Sequence, residues 1–109
     1  MNNFTKSEKK VAKELFELAK KRDYEKLKND IHSFQLNSPE NIWELRDFLN
    51  DKAKEFDNKY DYRYSVLEEV FSYFIIDGLL SIEEIQDLSQ KHKERIISLI
   101  KNIKNFHSE

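Results

Sequence analysis

A chain of 109 residues with one glycine and one proline has almost nowhere to turn sharply. Tight hairpins need glycine, or proline at a fixed position, so a β-rich fold is nearly closed off. What remains is helices joined by short connections. The two exceptional residues, Pro39 and Gly78, then read as helix punctuation. The expected class is all-α: four to five helices in an elongated single domain spanning 1–109, of a size that favours a homodimer.

Composition narrows the function classes. Charged residues make up 37% of the chain but nearly balance, with a net charge of -2, whereas a nucleic-acid binder needs a basic excess. There is no cysteine, hence no disulfide scaffold and no thiolate site, which fits a reducing cytoplasm. The start, MNNFTKSEKK, lacks the apolar centre of a signal peptide. No apolar run approaches the roughly 20 residues that span a bilayer, so membrane insertion is not expected.

Local signals mark the helices. Thr5 and Glu8 have capping-box spacing. Val11, Ala12, Leu15, Phe16 and Ala19 then form an apolar stripe, and Tyr24, Leu27, Ile31 and Phe34 form a second, offset one. Either the helix breaks near Asp23, or one long helix presents two faces. Ser38, Pro39 and Glu40 read as N-cap, first-turn proline and dipole-facing acid of the next helix. That helix is expected to bury Ile42, Leu45, Leu49 and Phe56 and to end between Asp57 and Asp61. Val66, Leu67, Val70, Phe71, Phe74 and Ile75 line another, stopped by Gly78. Ser81 and Glu84 form a second capping box, flanked by Leu80 and Ile85, from which a last helix carries Leu88, Ile96, Leu99, Ile100 and Ile103. The tail beyond Lys104 is expected to fray.

Few features carry chemistry. Residues 77–84 resemble half of a calcium loop, but Tyr73 and Ile75 occupy ligand positions upstream. His32, His92 and His107 have no metal-ligand spacing, and a phosphate loop cannot be built from one glycine. No enzymatic activity, metal or cofactor is expected. The run Tyr60, Tyr62, Tyr64 with Arg63 could stack on bases, but aromatic packing at a helix junction, with Asp61 as cap, accounts for it better. A small helical nucleic-acid or transcription-associated factor is the alternative reading; duplex binding that falls steeply with salt is its signature.

The helix after Pro39 has two faces. At about 100° per residue, Ile42, Leu45, Leu49 and Phe56 fall within about 60° of one another. Trp43, Asp47, Asn50 and Lys54 share another arc, more than about 100° away. Trp43 either covers a core edge or anchors an interface, and the hydrogen-bonding groups around it favour the interface.

Trp43-Glu-Leu-Arg-Asp-Phe-Leu49 and Asp57-Asn-Lys-Tyr-Asp-Tyr-Arg-Tyr-Ser-Val66, followed by Val70-Phe71, Gly78-Leu79 and Glu83-Glu84, resemble the fluorescence recovery protein family of cyanobacteria. The resemblance runs without a gap from about Leu15 to about Lys101 and takes in Tyr60, Asp61 and Arg63 as family motif. It implies a non-enzymatic, all-helical homodimer. In that family the regulator binds the C-terminal domain of the photoactivated orange carotenoid protein and speeds its return to the resting form. Trp43 and Asp47 match positions on the helical face near the dimer seam. Arg46 stands where the family has histidine, and Ala53 where it has a functionally important arginine. Glu69 replaces an aromatic implicated in partner contact, while Arg95 keeps the positive charge of another such position. The resemblance therefore implies a dimer interface at Trp43, Arg46, Asp47 and Asn50 and a partner-binding head at Glu69 and Arg95.

Overall fold

A computed structural model describes residues 4–107 of the chain. Four α-helices follow in order: α1 (Lys6–Ser33), α2 (Pro39–Lys59), α3 (Leu67–Ile76) and α4 (Gln90–His107), with one 3-10 turn at Glu83–Ile85. No strand occurs among the described residues.

Three of the local start and stop signals act as read. Thr5 Oγ1 accepts from the Glu8 N–H and Glu8 Oε1 accepts from the Thr5 N–H, a reciprocal capping box. Ser38 caps α2, with Pro39 in its first turn. At the end of α3, Gly78 adopts φ +78°. The Gly78 N–H reaches the Ile75 carbonyl at 3.0 Å and the Leu79 N–H reaches Phe74 at 2.8 Å. This pair of bonds closes the helix in a Schellman turn.

The open question at Asp23 resolves to one unbroken helix of 28 residues. Asp23 caps nothing; it is buried against Lys59 and Tyr60. The first half of α1 buries Ala12, Leu15, Phe16 and Ala19 in a head built with α3, the 3-10 turn and α4. Its second half leaves the head and runs beside α2 as an arm. Phe34 meets Phe48 with ring centres 5.2 Å apart, and Tyr24 meets Phe56 at 4.9 Å.

Three expectations need correction. Ile42 and Leu49 are exposed and Leu45 half-buried, so Phe56 is the only fully buried residue of α2. Helical spacing identifies an apolar face but not whose core it enters. The Ser81 box does form, with Glu84 N–H to Ser81 Oγ at 3.3 Å and Ser81 N–H to Glu84 Oε1 at 3.0 Å, but it opens only the 3-10 turn. In a continuous helix the Ser89 N–H would bond to the Ile85 carbonyl; here it goes to Glu8 Oε2 at 3.1 Å. The 3-10 turn has already ended at Ile85, whose carbonyl accepts from the Leu88 N–H at 3.1 Å, and α4 starts afresh with Ser89 Oγ accepting from the His92 N–H. Finally, α4 runs past Lys104 to His107; residues 108–109 lie outside the described region.

The arm gives the molecule its length. The principal extents are 53 × 35 × 24 Å and the radius of gyration is 16.6 Å. A compact domain of this size would have roughly 13 Å.

Candidate protein-interaction site

On the arm, α2 turns Ile42, Trp43 and Leu49 outward, the indole 55% exposed. Of the seven large apolar residues exposed among the described residues, five (Tyr24, Leu36, Ile42, Trp43 and Leu49) lie on the arm or at its tip. Concentration of this kind makes the arm the candidate interaction surface, since scattered exposed apolar residues are ordinary. Arg46 organises the polar side of the patch. Its guanidinium sits 5.1 Å from the Trp43 ring centre and 2.9 Å from Asp47. Asn50 and Ala53 are exposed on the same helix. The structure thus brings Trp43, Arg46, Asp47 and Asn50 onto one exposed surface.

The head residues divide. Glu69, exposed on α3, edges a cleft of about 290 Å³ with Val66, Val70 and Tyr73. Arg95 pairs at 3.5 Å with Glu68 instead and lines a different, shallow depression with Ser98 and Leu99. Glu69 and Arg95 are not joined in one site.

The tyrosine run is structural. Tyr60 packs edge-on against Phe16 and Phe56, and Tyr62 against Phe16. Lys9 and Lys13 lie over the rings of Tyr64 and Tyr62 at 4.9 and 4.8 Å. All three rings are thus engaged in packing contacts at the head. The expectation that Asp61 caps the next helix fails, because α3 has no side-chain cap. Asp61 accepts instead from Arg63 Nε at 2.7 Å.

Where arm meets head lies a cluster the sequence did not reveal. Lys59 Nζ reaches Asp23 and Asp77 at 3.0 Å each, and the Tyr60 hydroxyl donates to Asp23 at 2.6 Å. Burial opposes the charge of Lys59, yet the two aspartates outweigh it and hold its pKa above the usual lysine value. Burial, reinforced by Asp23, pushes the Tyr60 phenol up, so it stays a donor. The cluster escapes a sequence reading because Asp23, the adjacent pair Lys59 and Tyr60, and Asp77 sit 17 to 54 positions apart. A second buried group, His92, stacks on Phe4 at 3.9 Å and pairs with Glu68 at 2.6 Å, which ties α4 to α3 and to the chain start.

Among the described residues no group of His, Cys, Asp and Glu could hold a metal ion. No helix among them is long and apolar enough to cross a membrane.

The family model described as photoprotection regulator fluorescence recovery protein matches residues 4–100. The chain belongs to the fluorescence recovery protein family. It is 32% identical over 98 residues to the fluorescence recovery protein of Synechocystis sp. (strain ATCC 27184 / PCC 6803 / Kazusa), covering 88% of this chain and 90% of that one. The fluorescence recovery protein of Fremyella diplosiphon superposes with TM-score 0.86 at 37% identity, over 91% of this chain and 99% of its own. An arginine-to-lysine mutant of the Synechocystis sp. PCC 6803 protein gives TM-score 0.86 at 31% identity, with the same coverage. The chain is therefore a member of a family of photoprotection regulators with that family's all-helical fold.

Proposed function

We propose that the whole chain, 1–109, works as one domain in the cytoplasm. As a homodimer it binds the C-terminal domain of an orange carotenoid protein or a similar partner, and it speeds that partner's return from the photoactivated to the resting state. A regulator of this kind needs no catalysis, metal or cofactor. It shifts an equilibrium by binding one partner state more tightly than the other.

The observation that carries the reading is α2: a helix of 21 residues with one buried side chain and a tryptophan facing solvent. A helix exposing such a face needs a second surface to cover it, and family membership makes a second copy the natural occupant. Trp43 supplies the large anchor, with Arg46, Asp47 and Asn50 around it. The head would then face the partner protein. Glu69 and Ala53, departures from the family pattern, bear on which partner is accepted, because a carboxylate resists desolvation where an aromatic would not.

The test uses photoactivated orange carotenoid protein relaxing in the dark, followed by its visible absorbance. Added chain should speed the return, and Trp43→Ala should blunt the effect while helicity by circular dichroism stays unchanged. An unaltered relaxation rate with every carotenoid protein tried would reject this partner class.

A further inference from the structure

The near-balance of charge in this chain conceals a segregation. Between residues 6 and 21, seven positions of α1 fall within an arc of about 120°, turned away from the buried Ala12, Leu15 and Ala19. Six of them are lysines, Lys6, Lys9, Lys10, Lys13, Lys20 and Lys21, and the seventh is Glu17. Glu17 pairs with Lys13 at 3.1 Å. The other five lysines make no ion pair among the described residues.

Such a row works against the helix that carries it. Lys6 with Lys10, and Lys9 with Lys13, are like charges one turn apart, which destabilises a helix. The row also begins at the amino end of α1, where the backbone dipole disfavours cations. Anions arriving from outside would relieve both.

The tyrosine run holds part of the row in place. Segment 60–64 lies along α1, and each of its alternate rings seats one ammonium. Tyr64 lies under Lys9 at 4.9 Å, Tyr62 under Lys13 at 4.8 Å and Tyr60 under Lys20 at 6.0 Å. A lysine already seated on a ring loses less freedom on meeting an anion than one that is loose in water.

The spacing selects the anion. Lys6, Lys13 and Lys20 repeat every seven residues, about 10.5 Å apart, which is how a helix lying alongside would present its own side chains. Duplex nucleic acid carries a charge every ~1.7 Å, far denser than this row. The arc holds no apolar side chain, so it has nothing to enter a bilayer.

We infer that the outer face of the head half of α1 is a docking surface for an acidic helix of a partner protein, with Lys6, Lys13 and Lys20 as its line of contact and Tyr60, Tyr62 and Tyr64 as the seats that order it. This surface is separate from the Trp43 face of the arm and does not depend on the arm-to-arm pair.

The test uses the whole chain and an alanine-based peptide of about 20 residues with glutamates along one helical face, followed by fluorescence anisotropy. The chain should bind the peptide at low ionic strength and lose about tenfold or more in affinity as added salt screens the surface. Lys6→Gln, Lys10→Gln and Lys21→Gln together touch none of the ring seats and should weaken binding about tenfold with helicity unchanged. Lys91→Gln, Lys101→Gln and Lys104→Gln together remove the same charge from exposed positions of α4 and should cost less than about threefold. A parent that ignores the peptide at low salt overturns the docking surface. So does a first triple variant that binds as the parent does, or an equal loss from both triples, which would mean that net charge alone is sensed. Tighter binding of duplex DNA or of phosphatidylglycerol vesicles than of the peptide overturns the assignment to a protein partner.

Discussion

Lys59 shows how much one side chain holds in place. Its ammonium, 15% exposed, bridges Asp23 on α1 and Asp77 at the end of α3. Lys59→Met would leave Asp23 buried without its counter-charge, and breaking a buried pair in this way costs about 3 kcal/mol. The urea midpoint should fall accordingly, while Lys28→Met, at an exposed position, should leave it nearly unmoved. Gly78 makes a separate case. A methyl there would touch nothing within 4 Å, so Gly78→Ala should cost only the left-handed backbone penalty of about 1 kcal/mol, read as a lower melting temperature with unchanged spectra.

Two carboxylates set the acid limit. The Arg22 guanidinium holds Glu84 at about 2. For Glu8, burial pulls the other way, but hydrogen bonds from Thr5 and Ser89 outweigh it and bring it to about 2 as well. Both begin from an ordinary 4.5. A depressed folded pKa means stability that is complete above about 4.5 and lost as pH falls toward about 2. The melting temperature should be level above that range and drop through it, and Glu84→Gln should flatten part of the slope.

At the scale of elements, α2 should be the least protected helix of a single copy, because one buried residue gives it little reason to stay closed. Its amide exchange should slow as concentration rises, while α3, with Leu67, Phe71 and Phe74 fully buried, should not respond. Equal protection at all concentrations would contradict the pairing. The same helix shows where a sequence is legible. The Thr5, Ser38 and Gly78 signals were readable because each is satisfied by groups within a few residues. The apolar row Ile42, Leu45 and Leu49 was readable as a row, but its destination was not, since periodicity is the same for a chain's own core and for a neighbour's. The break before α4 was hidden for another reason. The Ser89 N–H within it goes to Glu8, 81 positions away. Trp43 stood out on spacing alone, whereas the meaning of Ala53 and Glu69 came only through the family resemblance.

At the scale of the molecule, the head is held by long-range pairs, among them Arg22 with Glu84 at 2.7 Å and His92 with Glu68. The arm depends on a few ring contacts. Joined arm to arm, two copies should show by small-angle scattering a maximum dimension well beyond the 53 Å of one. The unbroken course of α1 has a further consequence. Twenty-eight residues rising about 1.5 Å each make a rod of about 42 Å with neither proline nor glycine along it. One end of that rod is set into the head and the other into the arm, and the ion cluster at Lys59 braces it where it crosses between them. A rod without a joint works as a caliper. In the symmetric pair it would fix the span between the two heads, so a partner offering two docking points would be measured for their spacing as well as their chemistry.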